Sequence, residues 1–380
     1  MRRLTAPLLV WIMAAGTMAY AGLAVAATAL LADLGIGAGE LGLVLLTYSA
    51  TAALLSPVAG PITDRIGGTH AGRLALLAAA IGYTTMAQTT STLTLALAVL
   101  PVAFAQSLIN PATNAVIAAH TSPGRRGVIT GVKQSGVYVG FVFVGLTAPP
   151  LTASGGWQLA FLVIAAACLL GLALSFVALP PTPGRERGEA TGVPATARPD
   201  LRRLTIYAGL MGLAGSTNNF IPLFAETELG YSNTTAGLIT SVVGVIAVAS
   251  RILSARFAER SGHPGSLLRW MAGMGVVTNV VLAFAAAVPV LIWFGAGTYS
   301  LGLAPWNAVA MLAIIMIVGT SSAGTATGWV VSAFSAGLAI GPVVYGQLID
   351  RIGFLPVWAV SGAAAALATA AVLRLRVEPV

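Results

Sequence analysis

Long apolar stretches separated by short polar breaks make up most of the 380-residue chain. Each stretch is about the ~20 residues that a helical membrane span needs, so the pattern predicts helices. Short segments of alternating polarity, typical of a transmembrane barrel, are absent. The pattern therefore predicts an all-α membrane protein of twelve transmembrane helices, near residues 6–32, 41–62, 72–90, 94–119, 128–150, 157–179, 204–227, 235–256, 266–286, 288–318, 326–349 and 354–376.

One polar interval is far longer than the others and reads PPTPGRERGEATGVPATARPDLRR. Its proline, glycine and charge content is typical of a solvated linker. The interval predicts three parts: an N-terminal six-helix half at 1–179, a linker at 180–203 and a C-terminal six-helix half at 204–380.

The two halves repeat each other. Matches at an offset of 195 or 197 residues spread over most of each half, which favours a duplication. They include residues 33–35 with 228–230, 64–67 with 259–262, Asn110 with Asn307, and Gly156 with Gly353. Parallel six-helix repeats predict a pseudo-twofold axis along the membrane normal and a substrate path between the halves.

Composition and charge support a membrane location. The chain is 57% hydrophobic and only 8% charged, against about 25% charged in a soluble protein. The net charge of +8 does not indicate a nucleic-acid partner, because the basic residues lie at helix ends instead of in one patch.

The arginines also predict the orientation. The side shared by both termini holds sixteen, and the opposite side holds Arg351 alone. Since basic residues favour the cytoplasmic side, we expect both termini in the cytoplasm of a multi-pass protein. The sixteen are Arg2, Arg3, Arg65, Arg73, Arg125, Arg126, Arg185, Arg187, Arg198, Arg202, Arg203, Arg256, Arg260, Arg269, Arg374 and Arg376.

Several kinds of chemistry lack the residues they need. Cys168 is the single cysteine and lies in an apolar stretch, and no metal-ligand spacing occurs. No nucleophile–base pair lies at membrane depth, and no phosphate-binding glycine loop is present. We therefore expect no enzyme activity, no primary pump, no metal and no cofactor.

A motif between the second and third helices identifies a family. The motif G-x-x-x-D-R-x-G is formed by Gly60, Asp64, Arg65 and Gly67. It resembles the loop motif of the major facilitator superfamily, and the twelve predicted helices and the central linker also resemble that superfamily. The resemblance makes Arg73 the motif's trailing basic residue. The motif departs from the family at Gly68 and Thr69, where a basic pair is usual. The second copy, at Glu259, Arg260 and Gly262, has Ala255 in place of the first glycine.

The resemblance covers nearly the whole chain and implies a secondary or facilitative transporter of a small organic solute in the bacterial inner membrane. The stretch GVKQSGVYVG and a later Gly-Trp step loosely resemble a subgroup that includes cyanate-permease-like carriers. Proton-coupled drug efflux is an alternative, although the Gly-Pro step of many drug antiporters is missing from the fifth helix. A non-transporting receptor or scaffold is an alternative from another class.

The repeated acid–arginine pairs predict a cytoplasmic gate. A carboxylate near a helix N-terminus is stabilised by the partial positive charge there. We expect Asp64 to face the start of the eleventh helix, and Glu259 the start of the fifth, where Arg125 and Arg126 add charge-assisted contacts. The alternative is that both pairs only mark the inner face as positive.

The resemblance also implies which helices line the substrate path, namely the first, fourth, seventh and tenth, with the second, fifth, eighth and eleventh between the halves. Hydrogen bonding between helices is the alternative role for polar residues there. The substrate-binding candidates on these helices are Tyr20, Asn110, Tyr138, Asn218, Asn219, Tyr299, Trp306 and Asn307.

Lys133 and Arg251 favour an anionic substrate. Each lies inside a predicted helix, and neither helix offers a carboxylate at similar depth. An anion in transit would neutralise them. The alternatives are long side chains that reach the lipid headgroups, and a gate contact with backbone carbonyls.

Energy coupling has few candidate residues. Glu226 and Asp33, near the outer ends of the seventh and first helices, are the candidates for proton coupling, and exchange or uniport is the alternative. We expect a monomer whose partners are the bilayer, a small substrate and, if coupled, protons. Substrate identity and transport direction stay open at this point.

Overall fold

The computed structural model describes residues 4–182, 184 and 198–375, without the side chains of 123–128, 198 and 319–325. These residues are built from helices. In the N-terminal half they are α1 (Thr5–Val25), α2 (Ala27–Leu34), α3 (Ala38–Ile66), α4 (Gly68–Met86), α5 (Thr92–Ala98), α6 (Leu100–His120), α7 (Pro123–Gln134) and α8 (Gly136–Ala178). In the C-terminal half they are α9 (Arg198–Gly215), α10 (Ile221–Thr227), α11 (Asn233–Ser261), α12 (Pro264–Ala285), α13 (Leu291–Gly302), α14 (Trp306–Ile352) and α15 (Leu355–Ala371).

The helices have the length and composition of membrane spans. Within the described ranges, eight helical stretches are long and apolar enough to cross a bilayer. This confirms the predicted all-α membrane architecture.

Several predicted helices are interrupted. The first is broken between α1 and α2, the fourth between α5 and α6, and the fifth at Ser135 between α7 and α8. The seventh consists of α9, a 3-10 turn at Ser216–Asn219 and α10. The sequence did not predict these breaks, because the apolar pattern continues through them. Hydrophobicity reflects whether a residue is surrounded by apolar groups, and it does not depend on the backbone dihedral angles.

The long helices α8 and α14 each contain two predicted helices. In α8 the break lies at Gly155 and Gly156, whose φ angles are −150° and +75°. In α14 the rings of Trp306 and Phe334 lie 5.0 Å apart. Residues this distant in sequence would lie about 40 Å apart in a straight helix, so the chain folds back on itself between them.

The seventh helix begins earlier than predicted. Helix α9 starts at Arg198, inside the segment predicted as a linker. Asp200 lies in its first turn and forms an ion pair with Arg203 at 2.7 Å. An acidic residue in the first turn complements the helix dipole, which favours this early start.

The repeat is visible in the backbone at its glycines. The positive-φ residues among those described are all glycines, and they form three repeat-related pairs: Gly35 with Gly230, Gly67 with Gly262, and Gly156 with Gly353. Only glycine adopts these angles without strain. The duplication therefore keeps glycine where the chain turns between helices.

The halves meet along two seams that are closed at one end of the bundle. In one seam α3 packs on the second part of α14, and in the other α8 packs on α11. A methyl group added to Gly42 would overlap the carbonyl oxygen of Pro342, and one added to Gly145 would overlap the carbonyl oxygen of Gly237. The backbones touch here, as small residues permit in membrane proteins.

At the other end the described residues of the seam helices show no such close backbone contact. Gly60 of α3, Gly131 of α7 and Gly328 of α14 have no neighbouring atom within 4 Å of an added methyl group. Leu54 and Trp329 are 76% and 64% exposed. We call the closed end the Asp350 end and the open end the Asp64 end, after the acidic residues that lie there.

Candidate functional site

Lys133 is held inside the protein by one face of α6. Its ammonium donates hydrogen bonds to Asn110 Oδ1 at 3.1 Å, Thr113 Oγ1 at 2.9 Å and Asn114 Oδ1 at 2.7 Å. The three acceptors are spaced i, i+3 and i+4, which places them on the same side of a helix. The side chain is only 1% exposed, and its three donors are all used.

Arg251 of α11 crosses to the opposite half. One terminal nitrogen donates to the backbone carbonyl of Gln134 at 3.0 Å, and the other donates to Asn307 Oδ1. The guanidinium lies 5.1 Å from the ring centre of Tyr138, a cation–π contact. The residue is 8% exposed, and its buried Nε has no partner among the described residues.

The two cations belong to one polar network. The Gln134 side chain donates to Asn110 Oδ1 at 3.3 Å, while its carbonyl accepts from Arg251. The repeat-related residues Asn110 and Asn307 therefore each hold one cation. The network joins α6 and α7 of one half to α11 and α14 of the other.

The network carries positive charge without a carboxylate. The ion pair found in the described part of the chain joins Arg203 to Asp200, and none reaches Lys133 or Arg251. Neutral oxygens alone coordinate both groups. Both side chains are buried and bonded to protein groups, and the backbone-carbonyl contact expected as an alternative is present at Arg251.

The other substrate-binding candidates divide into two groups. Tyr138 adjoins the network and donates from its hydroxyl to the carbonyl of Ala304 at 2.8 Å. Three of the remaining candidates form hydrogen bonds inside their own half: Tyr20 bonds to Ser49, Tyr299 donates to the Gly215 carbonyl at 2.9 Å, and Asn219 donates to the Ser216 carbonyl at 3.1 Å. Asn218 is buried in the same turn as Asn219, and Trp306 packs on Tyr207 and Phe334.

The predicted gate residues lie at the Asp64 end of the bundle. Asp64 is half-buried and Glu259 is exposed, and neither accepts a hydrogen bond from a described residue. The side chains of Arg125 and Arg126 lie outside the described residues. Arg73 stays within its half, since it donates to the Ser175 hydroxyl at 3.1 Å and to the Ser175 carbonyl at 3.2 Å. Arg65 and Arg260 are exposed.

The two candidates for proton coupling have structural partners. Asp33 accepts from Trp157 at 2.9 Å and Gln158 at 3.0 Å, which ties the first helix to the sixth. Glu226 accepts at 2.9 Å from Asn233, whose amide also donates to the Val25 carbonyl of the other half at 2.8 Å. Coupling through either residue stays a prediction.

Sequence reasoning missed one carboxylate in the seam. Asp350, near the end of α14, accepts from the backbone nitrogens of Ala38 at 2.8 Å and Gly39 at 2.7 Å, at the start of α3. A signal was available, because residues 350–353 read DRIG, the same four letters as residues 64–67. Asn114, Thr113 and Gln134 were also missed, since polar residues in apolar helices give no sign of their partners.

Comparison with known proteins agrees with this architecture. A family model described as the Major Facilitator Superfamily matches residues 8–327 and 204–380, so the chain belongs to that superfamily of transporters. It is therefore a multi-pass membrane transporter and not an enzyme.

The relatives and solved structures similar to the chain include the following. It is 27% identical over 339 residues to "Probable nitrate/nitrite transporter NarK2" from two strains of Mycobacterium tuberculosis, with 84% of this chain and 82% of the relative covered. A bacterial homologue of the lysosomal transporter Spinster, inward-facing and unoccupied, gives a TM-score of 0.76 at 15% identity, covering 98% and 94% of the chains. The nucleoside transporter NupG gives 0.78 at 15% identity, covering 98% and 100%.

Proposed function

We propose that this transporter moves a small anion across the cytoplasmic membrane, and that the anion binds between the halves at Lys133 and Arg251. One observation carries the proposal: two buried cations from opposite halves share a network that contains no described carboxylate. A cation in the centre of a membrane helix costs about 2.5–3.5 kcal/mol. An anion between the two would offset part of that cost in both halves at once.

The two cations have different roles. Lys133 has used its three donors, so it contributes charge. Arg251 keeps its Nε and two further N–H groups, so it makes the direct contact. A unit charge about 4 Å away is stabilised by about 4 kcal/mol at an effective dielectric constant of 20.

The free donors of Arg251 suit a planar oxyanion. A guanidinium presents parallel N–H groups that match two oxygens of one group. Nitrate, nitrite and small carboxylates all offer such a pair, and the relatives named above are described as probable nitrate/nitrite transporters. We therefore infer a small oxyanion as the substrate class.

Alternating access would deliver the anion to each side in turn. The seams are closed at the Asp350 end and open at the Asp64 end. The arginine distribution supports a cytoplasmic location for the Asp64 end and for both termini. The conformation described here is then the inward-open one, in which the site is reached from the cytoplasm.

Uptake of labelled nitrate, nitrite and acetate into liposomes holding the purified protein tests the proposal. We expect Lys133→Gln and Arg251→Gln to weaken apparent affinity at least tenfold, and Lys133→Arg to keep part of it, because charge sets the affinity. Arg351→Gln removes an exposed arginine and serves as the control. Normal anion uptake by both Gln variants, or transport restricted to cations, would contradict the proposal.

A further inference from the structure

We infer that Asp350 is a gate residue that holds its end of the transporter closed by capping a helix of the opposite half. Its two carboxylate oxygens each accept one backbone N–H, from Ala38 at 2.8 Å and from Gly39 at 2.7 Å. These donors are the first two residues of α3. The contact joins the eleventh predicted helix to the second, across the seam between the halves.

The chemistry of a helix start explains why a carboxylate is used here. The first N–H groups of a helix have no partner within the helix, and the partial positive charge there attracts an anion. Asp350 supplies two acceptors in one group, so it satisfies two of these donors. When this end opens, water can replace both partners, so the contact biases the closed state without locking it.

A second copy of the same tetrapeptide supports a reciprocal arrangement. Residues 350–353 and 64–67 are both DRIG, and each copy ends a helix of the same seam, at opposite ends of the bundle. In this conformation Asp350 is engaged, whereas Asp64 accepts no hydrogen bond from a described residue. A carboxylate bonded across the seam at the closed end, and one with no hydrogen bond from the described residues at the open end, is the pattern that alternating gates require.

The same helix start provides a matched control. Glu40 also caps α3, because its Oε2 accepts from the backbone nitrogen of Gly37 at 3.1 Å. Its Oε1 accepts from Thr92 at 2.9 Å, within the same half. Glu40→Gln thus removes the same charge from the same helix start without touching the seam.

Spin-label distances across the Asp350 end test the inference without any substrate. Cysteines at Leu93 and Val288, which are 69% and 48% exposed, report the two halves at this end, and native Cys168 is buried. We expect Asp350→Asn to raise the open-to-closed ratio there about fivefold, the scale of a helix-end charge. The difference should shrink at high salt, because screening weakens exposed charges, and Glu40→Gln should leave the ratio near that of the wild type.

A second variant removes the donor and keeps the acid. Ala38→Pro deletes one N–H at the first position of α3, where proline is well tolerated. We expect it to open the Asp350 end as Asp350→Asn does. Unchanged distances in both variants, or an equal shift in Glu40→Gln, would overturn the inference. Neither result depends on which solute is carried, so the anion proposal stands or falls separately.

Discussion

At the residue scale, two amides in repeat-related positions each hold a cation. Asn110 accepts from Lys133, and Asn307 accepts from Arg251. The cations themselves are not repeat-related, since the equivalents of Lys133 and Arg251 are Val330 and Ser56. The amides therefore occur in both halves of the repeat, whereas each cation occurs in one half only.

The affinity of Arg251 for an anion should depend more on Asn307 than on the Gln134 side chain. Asn307→Ala removes a hydrogen-bond partner from a buried charge, so we expect anion affinity to fall about fivefold to tenfold. Gln134→Ala keeps the carbonyl that accepts from Arg251, so we expect less than about a twofold change. Titration calorimetry with nitrate or nitrite would measure both. A larger loss in Gln134→Ala than in Asn307→Ala would contradict this assignment.

At the element scale, the closed seams are made by backbones in contact. Gly42 of α3 faces the Pro342 carbonyl, and Gly346 of α14 faces the Ala38 carbonyl, with no room for a methyl group at either glycine. Overpacking of this kind typically costs about 1–3 kcal/mol. Because the cost applies only when the seam is closed, it acts on the conformational equilibrium.

A methyl group in the seam should favour the opposite conformation. We expect Gly42→Ala to open the Asp350 end at least fivefold, as measured by the Leu93–Val288 spin-label pair. Gly60→Ala lies on the same helix, where nothing comes within 4 Å of the added atom, and should leave the distances unchanged. Equal behaviour of the two variants would show that the seam tolerates the extra volume.

The helices and their turns were largely predictable, and the contacts between them were not. Glycines and polar residues in the sequence predict the turns at Gly67 and Gly262, because the backbone there needs a positive φ. The break at Ser135 gives no such signal, since its φ of −66° is one that any residue adopts. For the site, the sequence singled out Lys133, Arg251, Asn110 and Asn307 one by one. Their pairing depends on which helix faces which, and apolar periodicity does not encode that.

At the scale of the whole molecule, orientation decides which end faces the cytoplasm. The distribution of arginines predicts that the Asp64 end faces the cytoplasm. The proposed direction of access to the site rests on this orientation and on the packing of the seams.

Cysteine labelling in intact cells should confirm the orientation. We expect a membrane-impermeant maleimide to label Ser232→Cys from outside, and Ser266→Cys only after the membrane is opened, because both positions are exposed at opposite ends. Native Cys168 is buried, so the parent protein serves as the unlabelled control. Labelling of Ser266→Cys in sealed cells would reverse the assignment.

The cation network and the Asp350 cap lie in different parts of the molecule. The cation network joins α7 to α6 at Lys133 and to α11 and α14 through Arg251, while the Asp350 cap lies along the contact of α3 with α14. The residues proposed to bind the anion and the carboxylate inferred to cap the closed end therefore have no hydrogen bond in common. If both proposals hold, a lineage descended from this protein can change its cargo by substitution around Lys133 and Arg251 while the Asp350 cap is inherited intact.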